Sequence, residues 1–358
     1  MSVSLVCRLS SLAISVGYDA RRLRRVIGMA YRPRAGGAIH SRHLCSRGSQ
    51  WRCSVPAQLT HIPVAPIGPR PVTNRLQPTS ARHHSSSSTH SPAAPGISTT
   101  IKELSPGHTT ATLTLSNPTK LNILSTPLLT QLIETCETLS RHPTLRAVVL
   151  TGGPTARGKQ PSFIGGADIT EMHALGSAAE AREFITRVHR ACQAIRGIPV
   201  PVIARVHGFC LGAGLEIAAA CDLRVATTGS TFGMPEVQVG IPSVVEAALL
   251  PGLIGMGRTR RLLYLAENID GQTAADWGLV EQVVEDESAL DAVVADWTAR
   301  ITGMGPQAIR SQKRLMQRWE NCSVDEGVEL GVEAFAGAFE DGGAEPRAFM
   351  GRFVNRRR

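Results

Sequence analysis

Glu216 and Glu236, 20 residues apart, define the chemistry open to this sequence. Glu216 stands in the first turn of a small-residue helix, Leu215-Glu216-Ile217-Ala218-Ala219-Ala220, which opens directly from the glycine turn Gly208–Gly214. Glu236 follows Pro235, just after the next strand. A helix N-terminus offers unpaired N–H groups and a positive dipole end to anything negative. Glycine lets a ligand approach that backbone closely. Backbone donors with two carboxylates suit a reaction that builds negative charge on an oxygen while moving two protons. Taken singly, Glu216 is explained as well by complementing the helix dipole, and Glu236 by a local backbone bond. Both together, each in its own motif, favour chemistry. A second glycine turn, Gly165-Gly166-Ala167-Asp168, also runs into a helix. Asp168 is expected to cap that helix and Asp222 to pair locally at a helix end, both as structural groups. His189 and His207 lack a Ser or Asp partner at suggestive spacing and read as packing residues.

These groups need a scaffold, and the hydrophobic pattern supplies one. Thr109–Ser116 alternates as a strand, Ser125 with Pro127 opens a helix to about Ser140, and Arg146–Thr151 is a buried strand. Phe163 and Ile164 end a short strand at the second glycine turn, a helix runs from Ala178 to Arg196, and Val202–Val206 is the strand before Gly208. Strands alternating with helices across glycine turns indicate an α/β body beginning near Ile101. Beyond it, Leu249–Tyr264 reads as a turn and a helix start, and Gly271–Val280 as a capped helix stopped at Gly278. Asp286–Gly303 and Pro306–Gly331 read as helices, and Ala334–Phe349 as a helical arm with phenylalanines at 335, 339 and 349.

The formal charge of +9 invites a nucleic-acid reading, but its location argues against one. The first 100 residues hold 13 Arg, no Lys and one acid, leaving 25 basic and 28 acidic residues in the remainder. No global phosphate-binding field covers the body, so no nucleic-acid partner is expected. Residues 1–98 have the composition of an organellar transit peptide followed by a disordered Pro/Ser-rich linker, which points to the mitochondrial matrix. A secretory signal around Leu9–Val16 and a misassigned start at Met29 are the competing readings; the run is too short and polar to span a membrane. Eight cysteines include no CxxC pair, so neither a metal site nor a disulfide framework is indicated.

The segments FIGGADITEM, HGFCLGAGLEIAAACDLRVAT and FGMPEVQVGIP, in that order, resemble the enoyl-CoA hydratase/isomerase (crotonase) superfamily. The resemblance covers about Ile101 to Phe353. It implies a spiral of ββα units over 99–290, forming two sheets, then a helical C-terminal region, 291–358, that builds homotrimers or hexamers. It implies an acyl-CoA substrate, with coenzyme A as part of the substrate and no further cofactor. It places the N–H groups of Ala167 and Ala213 as an oxyanion hole for the thioester carbonyl. Glu216 falls where family hydratases orient and deprotonate water, and Glu236 where they deliver a proton to Cα. Around them, Gly165, Gly166, Asp168, Lys120, Gly212, Pro235 and Pro242 become substrate-binding candidates. Lys120 would lie near the phosphates, with a solvated lysine as the alternative, and Arg352 and Arg356–Arg358 would lie near a neighbouring subunit's nucleotide. Retention of both glutamates favours hydration over Δ3,Δ2-enoyl-CoA isomerisation, and the body charge disfavours a non-catalytic acyl-CoA- or RNA-binding role. One departure stands out. Where many hydratases have a glycine-rich turn, this chain has Ser243-Val244-Val245-Glu246-Ala247-Ala248. Glu246 is thereby either a third carboxylate beside the acyl pocket or a group paired within a helix, and the pocket is expected to suit a short, branched or polar acyl group.

Overall fold

The computed structural model describes residues 94–105 and 107–355. Most of the expected leader and Arg356–Arg358 lie outside the described residues. The body starts slightly before the expected boundary: β1 (Gly96–Ser105) pairs antiparallel with β2 (His108–Ser116), so its first residues, assigned to the leader by composition, belong to the sheet.

Three ββα units follow one pattern. In each, the first strand joins one sheet and the second joins another. β3 (Leu145–Gly152), β5 (Val202–Val206) and β7 (Leu223–Thr227) run parallel in the six-stranded sheet β1-β2-β3-β5-β7-β10, where β10 is Gln282–Val284. β4 (Ser162–Ile164), β6 (Phe209–Leu211) and β8 (Thr231–Gly233) run parallel in a four-stranded sheet closed by β9 (Ile269–Asp270). The near-continuous apolar runs in β3 and β5 are what a parallel strand covered on both faces requires.

Helices pack the sheets. α1 (Thr126–Ser140) buries Leu128, Leu129, Leu132, Cys136 and Leu139. Ser125 is its N-cap residue as expected, but the capping bond comes from elsewhere: Glu171 accepts from the N–H of Thr126 at 2.9 Å. α2 (Ile169–His173) is a single short helix, and α3 (Ala178–Arg196) is capped by the Ser177 hydroxyl. α4 (Ala213–Ala220) is buried along its whole length, which its alanines and glycine allow because they let neighbouring backbone approach. Arg224, 2% exposed, fastens its end: the guanidinium donates to the carbonyls of Ala218, Cys221 and Leu279 and pairs with Glu281. Asp222 is structural but not local. It accepts from the Val202 N–H and pairs with the buried Lys313, 91 residues away.

The C-terminal region is helical, with boundaries that differ from expectation. α5 (Leu250–Leu265) kinks at Gly255 (φ 77°), and α6 (Gly271–Trp277) ends at Gly278 as expected. After α7 (Glu287–Gly303), the single helix expected over 306–331 is two, α8 (Pro306–Trp319) and α9 (Val324–Gly337), because Ser323 and Glu326 form a capping box and start afresh. The arm over 334–349 is likewise divided. Phe335 belongs to α9, and Gly342 and Gly343, both at positive φ, break the chain before α10 (Ala344–Val354). Among the described residues, no helix is long and apolar enough to cross a membrane.

Candidate functional site

β4 and β6 are parallel neighbours, with Ile164 opposite Cys210. Each runs out into a glycine turn, so the two turns emerge side by side. In the first, Gly166 adopts φ +118°. Its carbonyl accepts the Leu124 N–H at 2.8 Å, and the Asp168 N–H donates to the Leu124 carbonyl at 2.9 Å. This single bridge leaves the intervening Ala167 N–H with no acceptor among the described residues. In the second turn, Gly212 is the N-cap of α4 with φ 52° and ψ −123°, and its carbonyl accepts from Leu215 and Glu216. The Ala213 N–H, at the open end of the helix, also has no acceptor among the described residues.

Direct backbone contact fixes the spacing of these turns. A Cβ on Gly214 would stand 2.1 Å from the Ile164 carbonyl oxygen, and one on Gly166 3.3 Å from that of Leu211. No side chain fits at 214, so here the need for glycine is steric. Two unpaired amides held in adjoining turns are the donors that a developing oxyanion requires.

The carboxylates border the second turn. Glu216, 4% exposed, lies one turn into α4. Glu236 opens the short 3-10 turn Glu236–Val239, and its Oε1 is 2.6 Å from where a Gly212 Cβ would stand. Gly212 therefore makes room for Glu236 against the turn. The Ser243 hydroxyl donates to Glu236 Oε2 at 2.8 Å. Burial, reinforced by the charge of Glu236, pushes the Glu216 carboxyl up to about 8; the nearby Ala247 N–H, which donates to the Val244 carbonyl at 2.9 Å, works the other way, and Glu246 adds a smaller upward push. At neutral pH Glu216 therefore favours its protonated form.

The other expected ligands divide. Asp168 is a helix cap, accepting from the Thr170 N–H at 2.9 Å. Lys120 Nζ sits 2.9 Å from Asp168 Oδ2, so in this structure the ammonium expected near phosphates holds a carboxylate instead. Burial alone would raise the Asp168 carboxyl, but Lys120 and Thr170 outweigh it and hold the group below its ordinary value. The Gly165 N–H is spent on the Leu121 carbonyl at 3.0 Å. Pro235 is the N-cap of the Glu236 turn, and Pro242 is exposed just before Ser243.

Glu246 is 4% exposed and pairs with another helix, not within its own. Its Oε1 lies 2.8 Å from His189 Nδ1 and 3.1 Å from Gln193 Nε2, both on α3, which corrects the reading of His189 as a packing residue. His207, just beyond β5, likewise makes polar contacts, with Thr227 at 3.1 Å and Glu287 at 3.3 Å, so it too is more than a packing residue. Sequence reasoning missed Ser243, His189 and Gln193. Ser243 opens the unusual loop, and His189 and Gln193 share a helix face at i, i+4 spacing, but their partners are 53 to 57 residues away. Among the described residues, no cluster of three or more His, Cys, Asp or Glu side chains is placed to hold a metal ion. Two open cavities, of about 380 and 260 Å³, border α3 and the α4–α8 junction, and neither is lined by Glu216 or Glu236.

With this geometry in hand, comparison with known proteins is specific. A family model described as enoyl-CoA hydratase/isomerase matches residues 107–356. A short-chain-enoyl-CoA hydratase from Clostridium acetobutylicum is 32% identical over 249 residues, covering 69% of this chain and 92% of that protein. A crotonyl-CoA hydratase from Syntrophomonas wolfei is 34% identical over 230 residues, covering 64% and 86%. Among solved structures, an enoyl-CoA hydratase from Mycobacterium smegmatis superposes with a TM-score of 0.66 at 28% identity, covering 72% of this chain and 97% of that one.

Proposed function

The chain belongs to the enoyl-CoA hydratase/isomerase family, the crotonase superfamily, and from that premise we propose that it adds water across the 2,3 double bond of an enoyl-CoA thioester. The thioester oxygen sits between the N–H groups of Ala167 and Ala213. There the donors stabilise the enolate formed as water adds to Cβ, and losing one such donor costs about 3 to 4 kcal/mol of barrier. Water gives its oxygen to Cβ and one proton to a carboxylate, while the other carboxyl gives a proton to Cα. The glutamate pair thus starts and ends each cycle with one proton. In the free enzyme Glu216, raised to about 8, holds a proton. For Glu216 to act as the base and Glu236 as the acid, it crosses to Glu236 as substrate and water enter between them. Coenzyme A arrives with the substrate, and no separate cofactor takes part.

The observation that carries this reading is the junction itself: two unpaired amides in touching turns, flanked by a carboxylate pair whose charges are coupled. Loss of the enoyl thioester absorbance of crotonyl-CoA, followed with the full chain, tests it. Hydration that collapses on Glu216→Gln and again on Glu236→Gln is the expected result. Migration of a 3-enoyl double bond that survives loss of one glutamate would mark an isomerase instead. As further parts of the reading, the apolar faces exposed on α9 and α10, with Val324, Val328 and Val332 among their residues, pack a homotrimer, and the Arg-rich leader directs the chain to the mitochondrial matrix.

A further inference from the structure

We propose that Glu246 is a positioning residue: anchored to His189 and Gln193, it pins the strained loop 243–247, whose Ser243 hydroxyl holds the catalytic carboxylate of Glu236. The proposal rests on the hydratase reading of Glu216 and Glu236.

Three contacts define the loop. At one end the Ser243 hydroxyl donates to Glu236 Oε2 at 2.8 Å. At the other the Ala247 N–H donates to the Val244 carbonyl at 2.9 Å and closes the loop on itself. Between them stands Val245 at φ 40°, a left-handed conformation in which a β-branched side chain crowds its own backbone. Such a residue persists only where its surroundings over-determine it. Glu246, the next residue, is the group able to do that. It is buried, and Oε1 takes bonds from two side chains of α3, while Oε2 has no hydrogen-bond partner among the described residues. A buried carboxylate satisfied on one side only is a poor stabiliser, so overall stability is not what its place in the structure explains. Its pairing joins the loop to α3, a helix that also packs on α4, and so references both glutamates to one rigid frame.

Glu246 is set apart from the reacting atoms and acts on them only through the loop. Releasing the loop should therefore lower kcat and leave KM nearly unchanged, because the thioester still meets the same amides. Steady-state hydration of crotonyl-CoA by the full chain tests this in four proteins. Glu246→Ala is expected to lose about 10- to 100-fold in kcat, the range a small misplacement of catalytic groups produces, with KM within about threefold of wild type. His189→Ala, which removes a half-exposed anchor with little risk to folding, should move kcat the same way by a smaller factor. Val245→Gly added to Glu246→Ala should recover about tenfold of kcat, because glycine holds the left-handed conformation without an anchor.

Glu246→Ala and His189→Ala proteins with wild-type kcat would overturn the proposal. So would a change confined to KM, which would make Glu246 a substrate contact, and so would a kcat loss that Val245→Gly leaves untouched. Should Glu246→Ala fail to fold, His189→Ala alone and His189→Ala with Val245→Gly decide by the same criteria. A wild-type chain that leaves crotonyl-CoA unchanged overturns the hydratase reading and this proposal with it; a wild type that hydrates it while the variants match it overturns the loop alone.

Discussion

The two glycine turns begin alike and end as electrostatic opposites. Each leaves a short parallel strand, opens a helix, and leaves one alanine N–H without an acceptor among the described residues. Each places a carboxylate nearby, and both carboxylates are 4% exposed. Asp168 bonds the helix backbone and a lysine, and is held below its ordinary value. Glu216 makes no side-chain cap, has no cation beside it among the described residues and has another carboxylate near it, so burial pushes it up to about 8. Equal surface exposure thus goes with opposite shifts, because Glu216 lies deeper in the body beside a second carboxylate while Asp168 has a lysine and Thr170 as partners.

Substitutions can break or sharpen this contrast. The largest effect is expected from Glu216→Gln, which should lower kcat/KM on crotonyl-CoA about a thousandfold in a folded protein, since a positioned acid or base contributes about 10²–10⁴. A loss under tenfold would remove Glu216 from the chemistry. Next comes Gly214→Ala, whose methyl group would meet the Ile164 carbonyl at 2.1 Å. Chemical denaturation should report a loss of about 3 kcal/mol, at the upper end of overpacking costs.

The pH dependence comes third. If hydration needs the one proton that rests on Glu216, kcat/KM falls as pH rises through about 8. A profile that rises through that pH would mean Glu216 must be ionised in the free enzyme. A smaller effect follows from Asp168→Ala, which removes a cap and should cost about 1 kcal/mol of stability. Because Asp168 is held low, its charge-dependent contribution is present above the unfolded carboxylate value of 3.8 and disappears as pH falls through the lower folded value. Unfolding midpoints of wild type and variant should therefore converge in acid. Lys120→Met comes last, at under about 1 kcal/mol, since its side chain is 53% exposed and solvent screens the pair.

What the sequence disclosed, and what it withheld, follows the range of the interactions. The ends of α3 and β5 match their expected limits, because Ser177, Gly197 and the apolar run of 202–206 are local signals. Both glycine turns were legible for the same reason. The split between α8 and α9 was written locally too, in Ser323 and Glu326, but the apolar pattern on either side masked it. The anchoring of Glu246 was not legible. Its partners lie 53 and 57 residues back on another helix, and no periodicity announces a bond between two turns of α3 and a 3-10 turn. Asp222 repeats the lesson, since its cation is supplied by α8.

The contact between Gly214 and the Ile164 carbonyl has a consequence for how such a protein can diversify. With main chain lying on main chain, no rotamer intervenes, and the gap between the two amide donors is set by strand pairing alone. New acyl preferences can then be sought along 237–242, where Val237, Val239 and Ile241 are exposed, without disturbing the part that bears the negative charge.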